Sequence, residues 1–143
     1  MTDQHASHHA DRLAEDPAGH VAAYIATFAG GSGELLDMHY EPGAVLVPRP
    51  GSPMTGAAAR ISAHNHLLGF GLPMRARNRR VYVADDIALL LVDWSIAGTS
   101  RQGYSIDLSG TATDVARRGP DGRWRYVIDN PFGVVEPEPP AVS

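Results

Sequence analysis

The 143-residue chain contains no cysteine. Disulfides, thiolate metal ligands and a cysteine nucleophile are therefore excluded. No stretch reaches the roughly 18 apolar residues of a membrane-crossing helix, so no membrane partner is expected. Positive charge is scarce as well. The formal net charge is -4 and the pI is near 5.9, which argues against a phosphate-backbone binder and hence against a nucleic-acid partner. The glycines are scattered through turns, with neither a P-loop lysine nor a Rossmann phrase, and HExxH and Gly-x-Ser-x-Gly motifs are missing. His64 and His66 stand two apart on an expected helix, so they face different ways and make no paired metal site. No cofactor and no metal are expected. The start, MTDQHASHHADRLAED, lacks the basic residues and apolar run of a signal peptide, so a cytoplasmic location is the expectation.

What is present suits one domain. Residues 1–10 read as a polar, disordered arm, 11–134 as the domain, and 135–143 as a flexible Pro-rich acidic tail. Asp16-Pro17 is a helix start, followed by an apolar stripe of Val21, Ile25 and Phe28 with Tyr24 beside it. Gly30-Gly31 ends this helix and Ser32 caps a short second one. Pro42-Gly43 breaks the chain before a small strand, 44–47. Thr55 is the expected cap of a third helix, 56–68, whose inward face holds Ala57, Ile61, His64 and Leu68.

From Arg75 the pattern turns to β, with strands at 75–84, 87–97, 104–118 and 123–130. The reversals Asp85-Asp86, Ser100 to Gly103 and Gly119-Pro120-Asp121-Gly122 make consecutive hairpins and an antiparallel sheet. The long third strand is expected to bend or bulge near Gly110. Three helices covering one face of a strongly curved antiparallel sheet is an α+β arrangement. Its cone would admit a small molecule. Arg75, Arg77, Arg79 and Arg80 read as a solvated or dimer-facing strand.

The chemistry candidates are acids near such a cone. On the last strand Trp124, Tyr126 and Ile128 share one face, and Arg125, Val127 and Asp129 the other. A terminal bulge would shift that register. Asp93 shares a face with Ser95 and Ala97, opposite Trp94; Asp114 lies with Ala112 and Ala116. Asp93, Ser95, Asp114 and Asp129 would form one polar patch on adjacent strands, an active site if inside the cone and a dimer interface if outside. A carboxyl in an apolar pocket has a raised pKa, useful for moving a carbon-bound proton. His64, on the apolar helix face, could pair with such an acid. His39 and Tyr40 fall near the expected entrance. Tyr24 and Tyr82 could donate to a carbonyl or enolate oxygen. Trp94, Trp124 and Tyr126 are core or cavity wall.

The segment GSPMTG at 51–56 and the strands ending in DGRWRYVIDNPFG resemble a SnoaL-like, DUF4440-type protein of the nuclear transport factor 2 (NTF2), ketosteroid isomerase-like superfamily. DDIALLLVDWSIAGT, SGTATDVARR and RWRYVIDNPFG are similar to actinobacterial members of the SgcJ/EcaC type. The likeness covers about residues 17–134. It implies an NTF2-like, cystatin-like cone, a homodimer through the outer sheet face, and a setting in polyketide or other secondary metabolism. In SnoaL-like cyclases an aspartate of the last strand is the general acid/base, and Asp129 looks like the matching position. The ketosteroid isomerase pattern asks for a first-helix tyrosine, which Tyr24 fits loosely. Asp93 lacks the arginine two residues away that the epoxide hydrolase pattern needs, and of the two cavity histidines of scytalone dehydratase only His64 is placed.

The expected function is a cofactor-independent isomerase, cyclase or dehydratase. It would move protons on a small hydrophobic carbonyl compound. The alternative is a dimeric module that holds a small ligand or assists a partner without chemistry.

Overall fold

The computed structural model describes residues 11–135. The N-terminal arm and most of the tail expected from the sequence lie outside them. Asp16 caps a single 3₁₀ turn, Pro17–Gly19, by accepting the Ala18 N–H at 3.0 Å. Helix α1 follows at His20–Ala29 and buries Val21, Tyr24 and Phe28, with Ile25 only half-buried. Ser32 caps α2 (Gly33–Asp37) by accepting from Leu35 N–H at 3.2 Å. Strand β1 (Tyr40–Leu46) begins before Pro42-Gly43 rather than after it. It tolerates that pair because it is an edge strand whose ladder shifts register between Tyr40 and Val45.

Helix α3 (Ala57–Leu68) is capped at Gly56, with no side-chain cap, so Thr55 does not play that part. Its buried residues are Arg60 and His64, while Ala57 is exposed and Ile61 and Leu68 are half-buried. The inward face is thus rotated from the apolar pattern toward a charged residue. Arg60 is satisfied there because it donates to Asp37 and to the Pro42 and Ala44 carbonyls of β1, tying the helix to the sheet edge.

Strands β2 (Met74–Ala84), β3 (Ile87–Thr99), β4 (Ser105–Arg118) and β5 (Trp124–Asp129) complete a five-stranded sheet in the order β1-β5-β4-β3-β2. The sheet is mixed rather than antiparallel, since β1 runs parallel to β5. It is also open. The exposed arginines of β2 occupy an edge strand, where charge discourages pairing with another chain. Period-two alternation puts Ala88, Leu90, Val92, Trp94 and Ile96 of β3 and Ala112, Asp114 and Ala116 of β4 against the helices. Among the described residues no helix is long and apolar enough to cross a membrane.

Besides the shift in the β1–β5 ladder, two further register shifts shape the sheet. One lies in β2 between Asn78 and Arg80, the other between β4 and β5. The expected irregularity at Gly110 is not there, for the β3–β4 ladder is continuous from Ile87↔Arg117 to Thr99↔Ser105. Gly110 is needed for another reason. A Cβ on it would lie 2.8 Å from the Pro131 carbonyl and 3.1 Å from Trp94 Nε1, two atoms joined by a 2.6 Å hydrogen bond. Gly110→Ala is expected to lower the unfolding free energy by about 1–3 kcal/mol through this overpacking, measured by urea denaturation.

A candidate acid–base site in an apolar cavity

A cavity of about 490 Å³ lies between the inner sheet face, α3 and the loop after β1. Its walls are mainly apolar: Leu46, Met54, Leu67, Met74, Val92, Trp94, Leu108 and Phe132. At its inner end stand Tyr24, Tyr40, Tyr126, Asp114 and Asp129, all buried.

Asp129 reaches this place through the bulge in β5. Ala116 pairs with Tyr126, but Val115 pairs with Ile128, so β5 carries one extra residue there. Beyond it the alternation inverts, and Asp129 joins the side of Tyr126 instead of that of Arg125. It then meets Asp114, which alternation alone already aims inward. Asn130 N–H donates to Asp114 Oδ1 at 2.8 Å, and the Tyr40 hydroxyl donates to Asp129 Oδ2.

Burial pushes Asp114 well above the usual carboxylate range, and the neighbouring Asp129 charge adds to this. Burial also raises Asp129, although hydrogen bonds from Tyr40 and Asp114 draw it part of the way back. Two adjacent buried carboxyls cannot both ionise cheaply, and a shared proton is the stable arrangement. Burial likewise raises Tyr24, Tyr40 and Tyr126, so all three hydroxyls stay protonated and able to donate.

A second unit flanks the first. His64 lines the cavity, and its ring lies 4.9 Å from that of Tyr40. Its Nε2 is 3.1 Å from Asp37 Oδ1, and Asp37 is gripped by Arg60 through Nε at 2.8 Å and Nη2 at 3.0 Å. Burial alone would raise Asp37, but the His64 hydrogen bond and Arg60 hold it below its ordinary value. Asp37 accepts the hydrogen bond of Nε2–H, and in that tautomer Nδ1 is the ring's acceptor. Asp37 and Arg60 carry no motif, and only the spacing of Arg60 four residues before His64 hinted that they share a helix face.

Other expected site residues lie elsewhere. Asp93 is on the outer sheet face, bonded to Thr111 and to Arg79 and close to Arg77, so the polar patch of Asp93, Ser95, Asp114 and Asp129 divides between the two faces. His39 is buried behind the cavity wall with Nε2 2.8 Å from Thr27 Oγ1, and burial lowers it to about 4. Trp124 is core, 2% exposed, and does not line the cavity. Tyr82 is exposed on the edge strand. Tyr24, Tyr40, Trp94 and Tyr126 do line the cavity, and so does His66, contrary to its expected direction. Among the described residues no group of three His, Cys, Asp or Glu is placed to hold a metal ion.

The same architecture occurs in solved structures. A Novosphingobium aromaticivorans protein described as NTF2-like with a cystatin-like fold is 19% identical, covering 76% of this chain and 73% of that one, with a TM-score of 0.62. This chain has the NTF2-like, cystatin-like fold. A second match is to a Xanthomonas campestris protein described as a calcium/calmodulin dependent protein kinase II association domain (18% identity, 79% and 81% coverage, TM-score 0.65). Another is to a Catenulispora acidiphila protein in complex with S-DNPA (20% identity, 76% and 83% coverage, TM-score 0.59). No protein-family model and no curated protein matches the sequence. At these identities the likeness carries the NTF2-like fold alone.

Two measurements follow. Arg60→Leu leaves the half-buried Asp37 without its cation and the Pro42 and Ala44 carbonyls without their donor, and is expected to cost about 3–5 kcal/mol in urea unfolding. For Asp114 the folded pKa lies above the unfolded one, so its contribution is fully present below about pH 3.9 and is lost as pH rises toward the raised folded value. Asp114→Asn keeps an acceptor for Asn130 N–H but cannot ionise. Relative to this variant the wild type should lose stability as pH rises above about 4. Parallel stability curves would contradict the assigned shift.

Proposed function

We propose that the protein is a cofactor-independent enzyme of isomerase, cyclase or dehydratase type. It moves protons on a small hydrophobic carbonyl compound. One observation carries this reading: a proton-sharing carboxyl pair and a carboxylate-oriented imidazole face the same apolar cavity. A base and an acid with separated proton affinities are what such chemistry requires.

In the proposed reaction the carbonyl oxygen lies against the Asp114–Asp129 pair and Tyr40. Nδ1 of His64 takes a proton from the carbon beside the carbonyl. The C–H electron pair becomes the new C=C bond, and negative charge develops on oxygen, where the protonated carboxyl and tyrosine hydroxyls stabilise it. Returning the proton at another carbon completes an isomerisation; loss of a β-hydroxyl with the carboxyl proton completes a dehydration. The apolar walls suit a hydrophobic substrate and exclude competing water.

The sequence likeness to SnoaL-like, SgcJ/EcaC-type proteins supports a setting in polyketide or other secondary metabolism. A homodimer through the outer sheet face belongs to the same proposal. It is supported by the neighbouring apolar residues Leu89, Val115 and Ile128, of which Leu89 and Ile128 are exposed.

One observation favours the non-catalytic alternative. Tyr40 and Asp129 are hydrogen-bonded to each other, as are Asn130 and Asp114, so these four groups have partners without a ligand. Deuterium exchange separates the two readings. Cyclic ketones such as α-tetralone, incubated with the protein in D2O, should lose their α-proton NMR signals faster than in buffer. His64→Ala and Asp129→Asn should each slow that loss by about 10²–10⁴-fold. Binding of the ketones with no exchange above buffer would establish the holding module instead.

A further inference from the structure

The polar groups of the cavity are sorted by depth. Both of its carboxyls, Asp114 and Asp129, lie at the buried inner end. Its outer rim is formed by Pro48, Arg49, Ser62 and His66, of which Arg49, Ser62 and His66 are exposed. Between the two ends the wall is apolar. Arg49 is the permanent cation of this lining and has no carboxylate partner among the described residues, whereas Arg60, Arg117, Arg118, Arg123 and Arg125 each have one.

The loop that carries Arg49 is pinned. Leu46 and Met54 bridge its ends through hydrogen bonds of 3.0 and 2.8 Å. Within it Ser52 N–H donates to the Arg49 carbonyl at 3.0 Å, and Gly51 takes the turn at φ +77. The guanidinium is therefore presented at the rim from a closed turn, which reduces the entropy lost when an anion is bound. An arginine with no carboxylate partner among the described residues offers a planar fork matched to a carboxylate.

We infer that the ligand is amphipathic and acidic: an apolar carbonyl compound whose carboxylate rests on Arg49 at the rim while its carbonyl reaches the inner end. This rests on the cavity being the ligand site, as proposed above, but not on any catalytic step. A carboxylate at the inner end would meet Asp114 and Asp129 and be repelled, so the charge arrangement also fixes which way the ligand enters.

The test uses two probes that differ by one carboxylate, 2-naphthol and 6-hydroxy-2-naphthoate, with binding followed by calorimetry. The acid is expected to bind wild type about threefold to tenfold more tightly than the phenol at low salt, with the advantage shrinking as salt rises. Arg49→Gln should abolish the advantage and leave 2-naphthol affinity unchanged. Asp129→Asn should alter both affinities and preserve the preference for the acid. If both probes bind wild type and Arg49→Gln with the same ratio, the rim subsite is refuted while the cavity reading stands. If neither probe binds wild type, both fail.

Discussion

Asp114 and Asp129 face each other because β5 holds one more residue than β4 between two of their ladder pairs. Regular alternation would have turned Asp129 to the outer face with Arg125. The bulge reverses this at the last position of the strand. The chain just beyond it then fixes the result: Thr113 N–H donates to the Asn130 carbonyl, Val47 N–H to the Asp129 carbonyl, and Asn130 Nδ2 to Thr113 Oγ1 and the Gly133 carbonyl. The strand end is therefore held from both sides, by β4 and by the segment after β1. A carboxyl fixed in this way cannot swing out to water, so burial keeps its proton affinity raised.

The second polar unit is held by similar means. Arg60, Asp37 and His64 come from α2 and α3, and Arg60 also reaches two carbonyls of β1. Three groups that would each be costly to bury alone satisfy one another. Because Arg60 stands one helical turn from His64, whatever holds the helix against the sheet edge also sets the imidazole over Tyr40. Structure and the proposed chemistry share these side chains.

Burying two carboxyls under apolar walls lowers stability at neutral pH, and the fold offsets it with an ordinary core: Leu36, Leu90 and Ile96 are fully buried beneath the helices. Polar groups in this interior are not confined to the cavity. His20 and His39 are buried with rings 6.0 Å apart, and burial lowers His20 to about 3, so both remain neutral and pack as flat, aromatic-like residues beside Tyr126 and Tyr24. The histidines thus serve two ends. His64 has a carboxylate to orient it, whereas His20 has none among the described residues.

Much of the fold could be read from the sequence, because its signals are local. Apolar spacing in α1, the Ser32 cap and the turn chemistry between strands each follow from neighbouring residues, and the likeness of whole phrases pointed to the cone. Alternation also placed Asp114 correctly beside Ala112 and Ala116. Asp129 was another matter, since a bulge is decided by how two strands pair and leaves no mark on either one. The parallel pairing of β1, the burial of Arg60 and the outward position of Asp93 were hidden for the same reason. A charged residue goes inside only when partners distant in sequence are there to receive it, as Asp37 receives Arg60 across 23 positions. The sequence determined the elements and the residue types available for chemistry. Tertiary structure alone decided which of them meet, because burial, pairing and register belong to contacts between segments rather than to any one of them.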